Sequence, residues 1–221
     1  GNFAKYYQAG CLAFELISNK QKIICNSGYG KYLSENLTSL SKSTAAHSTL
    51  YLNDTSSCIF QKNKLINKIY GNSLLERHKI INKSYTEDKE FYKIDASHNG
   101  YEKRFGYIHK RSIKISKKED KIFGIDELRK TKNYSNSLIY AVRFHIYPGA
   151  KITKTKAGNS ILISLPSKEG WLLKSDTSDF QIEKNIFLGN KNKIINNESV
   201  SISGNIDKEI VLIKWEINKV S

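Results

Sequence analysis

The five histidines are the residues of this sequence best suited to proton transfer or metal binding, and they lie far apart along the chain. They are His47, His78, His98, His109 and His145. No two of them have the HxH, HExxH or HxxxH spacing that brings two imidazoles to one metal ion. A site built from them must therefore be assembled from different strands. For a histidine at the start of a strand, such as His47, a structural hydrogen-bonding role is more common than metal ligation.

Two histidine–arginine pairs are spaced by two residues, His109 with Arg111 and Arg143 with His145. Side chains two apart in a strand point to the same face of the sheet, so each pair shares a face. Such a pair can line an anion-binding groove, or it can belong to a solvated outer face. The arrangement occurs twice in the chain, which supports the interpretation as an anion-binding groove. We therefore predict that these four residues contact an anionic substrate.

The segment 97–101, Ser-His-Asn-Gly-Tyr, is a polar stretch with a glycine between two strand regions. It can be a simple turn. It can also face a sugar, because the Tyr101 ring can stack on a pyranose while His98 and Asn99 bind hydroxyl groups. No nucleophile elbow or glycine-rich phosphate loop accompanies it. The carboxylates lie mostly in turns, which gives little support to a two-carboxylate glycoside hydrolase.

The elements that must position these residues are strands, because apolar residues recur with a period of two. Alternation is clearest in residues 11–17, 22–25, 107–115, 121–125, 140–147, 161–165 and 209–217. Roughly a dozen strands at this spacing predict an all-β chain, with one large antiparallel β-sandwich over residues 1–221. Residues 63–76 are ambiguous between helix and strand, and residues 126–132 are expected to form a short turn.

The composition is that of an ordered and basic chain, with 39% hydrophobic residues and a formal net charge of +15. Such a charge attracts polyanions, although an AT-rich genome also produces an excess of lysine, isoleucine and asparagine. Nucleic acid is the less favoured partner, since arginines are not clustered and no DNA- or RNA-reading motif is present. The odd cysteine count, from Cys11, Cys25 and Cys58, predicts free thiols. No apolar run is long enough for a membrane span.

Three segments occur in an order and at a spacing that resemble a known family. They are residues 11–16 (CLAFEL), 23–28 (IICNSG) and 46–50 (AHSTL). The chain resembles the C-terminal β-sandwich of heparinase II/III-like proteins, polysaccharide lyases that join an α/α toroid to a sandwich. Residues 97–101, 106–111 and 143–148 are similar to a proteobacterial branch of that family. The resemblance covers most of the chain and implies an N-terminal toroid in the parent protein.

The resemblance also implies a metal site, with His47 at a family ligand position. The other two ligand positions, a histidine and an aspartate in the family, hold Gln8 and Asn26, and a catalytic histidine position holds Tyr6. One imidazole with two neutral amides is a poor zinc site, because zinc prefers anionic or imidazole donors. The expectation is one divalent metal, zinc or calcium, or else a hydrogen-bond network that holds the same strands.

The resemblance implies β-elimination on an acidic, uronate-containing polysaccharide such as a glycosaminoglycan. It implies a location in the periplasm or cell envelope, and a cytoplasmic location stays open. The predicted catalytic positions are Tyr6, His98 and Tyr101, and the predicted substrate contacts are His109, Arg111, Arg143 and His145. Because the family's toroid carries much of the catalytic set, the isolated chain is expected to be inactive. The alternative is a non-catalytic carbohydrate-binding or scaffold module.

Overall fold

Alternating apolar residues produce strands along almost the whole chain. The computed structural model describes residues 6–31, 33–70, 74–134, 136–156, 158–176, 180–190 and 193–221. The strands are β1 (Leu16–Ser18), β2 (Gln21–Cys25), β3 (Leu50–Leu52), β4 (Ile59–Phe60), β5 (Leu74–Glu76), β6 (Ile80–Glu87), β7 (Phe91–Tyr101), β8 (Tyr107–Ser116), β9 (Lys121–Lys130), β10 (Leu138–Ile146), β11 (Lys151–Lys154), β12 (Ser160–Ser164), β13 (Gly170–Ser175), β14 (Phe180–Asn190), β15 (Lys193–Ile206) and β16 (Ile210–Lys219). The helices are α1 (Glu35–Lys42), α2 (Lys64–Tyr70) and α3 (Glu102–Phe105), and a 3₁₀ turn spans Thr44–Ala46.

These strands form two large antiparallel sheets. The six-stranded sheet has the order β1-β2-β10-β15-β14, and β3 also pairs with β10. The eight-stranded sheet has the order β11-β12-β13-β16-β9-β8-β7-β6, and β4 pairs with β5 separately. The predicted all-β class and antiparallel sandwich are confirmed. No helix in the described part of the chain is both long and apolar enough to cross a membrane.

The core lies between the two sheets and is centred on aromatic side chains. Trp215 of β16 stacks on Phe14 at 5.3 Å between ring centroids and meets Phe144 of β10 edge-on at 5.2 Å. Gly124 of β9 lies directly under the Trp215 indole, where an added Cβ would come within 2.0 Å of the ring. A side chain at position 124 is therefore excluded by the packing of the indole.

Two of the predicted turns are wrong, because polar residues there are paired inside the sandwich. Residues 126–130 are the end of β9, with Asp126 opposite Ile213 of β16. Residues 97–101 continue β7, and the turn comes after them, where α3 ends at Gly106 with φ of 73°. A carboxylate or imidazole suggests a loop when only the sequence is known. In a strand it can be buried if a partner that lies far away in sequence neutralises it or forms a hydrogen bond with it.

Two other expectations are resolved by local backbone geometry. The ambiguous residues 63–76 contain helix α2 and strand β5. The first hairpin is shorter than predicted: only Leu16–Ser18 pairs with β2, through a turn in which Asn19 and Lys20 have φ of 45° and 66°. Positive φ at both central residues is the geometry of a tight two-residue hairpin turn. All three cysteines are free, and burial raises the pKa of each thiol to about 12.

Candidate functional site

His47 follows the 3₁₀ turn and joins it to the segment before β1. Its Nδ1 lies 2.8 Å from the Ser43 carbonyl oxygen, and its Nε2 lies 2.9 Å from the side-chain oxygen Oε1 of Gln8. Burial lowers the pKa of His47, and a neutral ring carries one proton, which it donates to one of these two oxygens. Gly10 packs flat against the ring, since a Cβ there would lie 2.3 Å from Cδ2. His47 therefore acts as a hydrogen-bonded connection between these two segments.

Asn26 makes a second connection from the end of β2. Its Oδ1 accepts from the Ser48 backbone N–H at 2.9 Å, and its Nδ2 donates to Glu15 at 3.4 Å. The Ser48 hydroxyl in turn donates to the Cys25 carbonyl at 2.6 Å. Within the described residues, no hydrogen bond joins Asn26 to His47. Asn26 and the His47 ring therefore attach two adjacent positions of the same segment, residues 48 and 47, through separate hydrogen bonds.

A tyrosine–histidine pair that sequence reasoning missed lies close to this segment. The Tyr7 hydroxyl donates to Nε2 of His78 at 2.8 Å, and Nδ1 of His78 lies 3.3 Å from the Ser57 hydroxyl. Burial raises the pKa of Tyr7 to about 12 and lowers the pKa of His78. Both groups are therefore neutral at pH 7. The two residues are 71 positions apart in the sequence, so no local spacing reveals the pair.

A fully buried polar network crosses the eight-stranded sheet. Nε2–H of His98 donates to Nδ1 of His109 at 3.1 Å, and Nε2–H of His109 donates to Asp126 at 2.7 Å. Arg111 binds both carboxylate oxygens of Asp126, at 2.8 and 3.0 Å, and the Trp215 indole N–H donates to it at 2.9 Å. Burial alone would raise the pKa of the Asp126 carboxyl, but Arg111 and His109 hold it well below its usual range. The network is therefore a neutralised ion pair.

Arg111 extends this network to the segment that His47 and Asn26 hold. Its Nη1 donates to the carbonyls of Leu12 and Ser48, each at 2.8 Å. The guanidinium also lies 5.6 Å from the Phe14 ring centroid. One arginine thus connects the eight-stranded sheet, the N-terminal segment and the residues before β3.

Arg143 lies on the polar face of the six-stranded sheet. Its Nη2 donates to the Tyr51 hydroxyl at 3.0 Å and to the Glu183 carboxylate at 2.6 Å. Its Nη1 donates to the Ala45 carbonyl at 3.3 Å. The Arg143 side chain is 17% exposed, so it remains partly accessible from solvent.

His145 lies beside Arg143 on the same face and is fully buried. Its Nε2–H donates to the Ala45 carbonyl at 2.9 Å, while Nδ1 accepts from the Ser27 hydroxyl and the Asn185 amide. Burial, reinforced by the Arg143 charge, lowers the pKa of His145 to about 3. Together the two residues attach the 3₁₀ turn to the sheet.

Comparison with known proteins assigns the chain to a family. Residues 1–216 match the family model described as "Heparinase II/III-like, C-terminal". The chain belongs to this family. The heparan sulfate lyase HepC of Pedobacter heparinus superposes with a TM-score of 0.75 at 13% identity, over 97% of this chain and 31% of that one. A crystal structure of heparinase III gives a TM-score of 0.69 at 14% identity, over 96% of this chain and 30% of that one.

A curated relative of this heparinase II/III-like chain is FtsZ-localized protein C of Caulobacter vibrioides. It is 31% identical over 96 residues, which is 40% of this chain and 16% of that protein. The chain therefore spans a small part of the curated relative and less than a third of the two solved structures above. The likeness to the lyases, at these identities, establishes the fold.

The family's metal positions do not fit a metal in this heparinase II/III-like sandwich. Asn26 Oδ1 already accepts a backbone hydrogen bond, and Gln8 is paired with His47. Within the described residues, no group of three or more His, Cys, Asp or Glu side chains could hold an ion. One imidazole with two neutral amides lacks the further imidazole, thiolate or carboxylate donors from which zinc sites are built, and it lacks the carboxylates typical of calcium sites.

The predicted catalytic positions differ in accessibility. Tyr6 is 52% exposed, meets Tyr29 edge-on at 6.4 Å and carries Lys31 above its ring at 5.1 Å. Tyr101 is completely buried, and its hydroxyl donates to the Leu50 carbonyl at 3.1 Å. Burial raises the pKa of Tyr101. Of the two tyrosines, Tyr6 can reach a ligand at the surface, and both roles stay predictions.

The predicted substrate contacts form two separate groups. His109 and Arg111 both donate to Asp126, and the predicted catalytic residue His98 is bound to His109. Arg143 and His145 both donate to the Ala45 carbonyl. The shared face of each pair is therefore as predicted from the spacing. Both faces are covered by other parts of the chain, so the groove and substrate roles of these residues stay predictions.

Proposed function

We propose that this heparinase II/III-like sandwich is the C-terminal part of a polysaccharide lyase-like protein, and that it binds acidic polysaccharide without cleaving it alone. The observation that carries this proposal is the family match over residues 1–216. The structural likeness to a heparan sulfate lyase supports it, as does the net charge of +15. Residues 1–221 form one domain in this proposal, and the periplasm or cell envelope is the proposed location.

The chemistry of β-elimination is the reason for proposing that the sandwich alone is inactive. A base removes the proton next to the uronate carboxylate, a carbon–carbon double bond forms, and the bond to the 4-linked oxygen breaks. The leaving oxygen takes a proton. The base must lie within hydrogen-bond reach of substrate. His98, His109 and His145 have both ring nitrogens bound inside the chain. The base and carboxylate-neutralising groups are thus proposed to come from an N-terminal toroid.

We expect purified sandwich to bind heparan sulfate and polygalacturonate saturably and to release no unsaturated uronate. Because the attraction is between a basic surface and a polyanion, raising the salt from about 50 to about 300 mM should weaken binding by roughly tenfold. Isothermal titration calorimetry measures the binding, and the ultraviolet absorbance of unsaturated uronate measures elimination. Dextran, which is uncharged, is the control for binding that does not depend on charge or on salt. Appearance of unsaturated product from the sandwich alone would contradict the proposal.

A scaffold module is the second candidate function. It is favoured by FtsZ-localized protein C, whose name states a place in the cell. A scaffold needs no base and no metal, and its ligand can be a protein. Binding to none of the acidic polysaccharides would favour this candidate over the first.

We further propose that Gln8, Asn26 and His47 hold their segments together by hydrogen bonds in place of the family metal. After dialysis against zinc and calcium, elemental analysis is expected to find no stoichiometric metal. His47→Ala should lower the free energy of unfolding by about 1–3 kcal/mol, because Ser43 and Gln8 lose their partner. The variant Gln8→His with Asn26→Asp supplies the family's ligand types and should gain zinc. Stoichiometric metal in the natural sequence that disappears in His47→Ala would overturn this proposal.

A further inference from the structure

A groove with a volume of 630 Å³ lies at one end of the six-stranded sheet, outside the network around Asp126. Its walls are residues 147–150 after β10, residues 184–186 of β14 and residues 196–198 of β15. Small-molecule sites range from roughly 300 to 1,000 Å³. The groove is therefore large enough for one or two sugar rings.

Strand register brings hydrogen-bonding side chains together in this groove. Asn185 lies opposite Asn197, and the neighbouring cross-strand pairs are Lys184 with Glu198 and Ile186 with Asn196. Asn185 and Asn197 therefore share one face of the sheet, and the other two pairs point to the opposite face. The two amides offer both donors and acceptors. The single cation and single carboxylate cancel in formal charge. Such a lining recognises hydroxyl and amide groups and gives no net attraction for an anion.

One wall of the groove is aromatic. Tyr147 is half-buried, and its ring is held edge-on by Phe187 at 5.3 Å between centroids. Gly149 follows with φ of 93°, a backbone conformation that favours glycine. An immobilised aromatic ring beside amides combines a flat apolar surface with directional polar groups, which is how pyranose rings are bound.

Both amides are held in place by hydrogen bonds, and one of them has an oxygen atom without a hydrogen-bond partner among the described residues. Asn185 donates to His145 and accepts from the Ile186 backbone N–H at 2.8 Å. Asn197 donates to the Ile146 carbonyl at 2.8 Å, while its Oδ1 is buried without a hydrogen-bond partner among the described residues. An unpaired buried acceptor is costly, and a ligand hydroxyl is a donor that would satisfy it.

We propose that this groove binds an uncharged saccharide unit through its amides and the Tyr147 ring. Phosphate or uronate would meet Glu198 beside Lys184, and an apolar ligand would leave the amides unpaired. The inference goes beyond the proposed function, because it requires neither a uronate nor a toroid. It gives the chain a second carbohydrate contact whose strength does not depend on net charge.

The test is calorimetric titration with three uncharged probes, cellotetraose, maltotetraose and chitotetraose, and with tetragalacturonate as the charged probe. We expect at least one uncharged probe to bind, with an affinity unchanged between about 50 and 300 mM salt, because screening acts only on charges. Tyr147→Ala and Asn197→Ala should each weaken that binding about tenfold. Asn82→Ala, the same change on exposed strand β6, is the matched control and should leave it unchanged. Urea unfolding shows that each variant is folded.

Failure of all three uncharged probes to bind would overturn the inference, as would binding that survives both groove variants. Failure of the proposed function looks different, because it removes salt-sensitive binding of polyuronate and leaves uncharged binding intact. Binding of tetragalacturonate alone, with strong salt dependence, would support the proposed function and contradict the groove site.

Discussion

Replacing Asp126 with asparagine is expected to lower the free energy of unfolding by about 3–5 kcal/mol. The carboxylate is completely buried and neutralises Arg111, which is itself 3% exposed. Without the charge of Asp126, the guanidinium stays buried with only carbonyl partners, and His109 and Trp215 lose an anionic acceptor. Removing one partner of a buried pair costs more than the pair itself contributes, because the other charge remains desolvated.

The matched control is Glu90→Gln, which removes the same charge from a surface pair. Glu90 and Lys118 are 2.9 Å apart but 57% and 68% exposed, so water screens their attraction. The expected change is too small to measure, as for most exposed ion pairs. Urea unfolding monitored by Trp fluorescence measures both variants. If Asp126→Asn is no more destabilising than Glu90→Gln, the network around Asp126 does not stabilise the fold.

Acidification below about pH 6 is expected to destabilise the protein steeply, well before its carboxylates become protonated. The pKa of His145 falls from 6.5 to about 3 on folding, so between these values the unfolded chain binds a proton that the folded chain does not. Stability therefore decreases as pH falls, by about 1.4 kcal/mol per pH unit for this one histidine. The pKa values of four more histidines are also lowered by burial, those of His47, His78, His98 and His109.

The variant His145→Gln isolates the contribution of this ring. A glutamine amide can donate to the Ala45 carbonyl and accept from Asn185, but it does not titrate. Free energies of unfolding from urea titrations at about pH 7.5, 6.5, 5.5 and 4.5 should show a shallower pH dependence in the variant below about pH 6.5, by about 1.4 kcal/mol per pH unit. Equal slopes in both proteins, or constant stability across this range, would show that His145 is not buried in its neutral form.

The sheet architecture was predictable because apolar residues recur at every second position through much of β8, β10 and β16, strands of nine or ten residues each. In β10, the apolar residues Val142, Phe144 and Ile146 are buried in the core, as the period of two requires. The family was predictable as well, since three short segments retain its order and spacing.

The partners of the polar residues were not predictable, because they lie far apart in sequence. Periodicity shows that Arg143 and His145 share a face, but not that residues before β3 cover that face. Asn185, which binds His145, is 40 residues away. Asp126 resembled a turn residue because its partner, Arg111, lies on the neighbouring strand. The sequence pattern shows which side chains lie on the same face of a sheet. Whether that face is exposed or buried depends on the segment of the chain that covers it.

The position of β16 has a consequence for how the chain folds. The last described strand lies in the middle of the eight-stranded sheet, between β13 and β9. Until β16 is inserted, β11–β13 and β6–β9 are two separate sheets. Each has an unpaired inner edge strand that can pair with a strand of another chain. The same strand brings Ile213, Trp215 and Ile217 to the core. Completion of the sheet and closure of the core are therefore one event that waits for the synthesis of β16, and a chain shortened before β16 would be prone to aggregate.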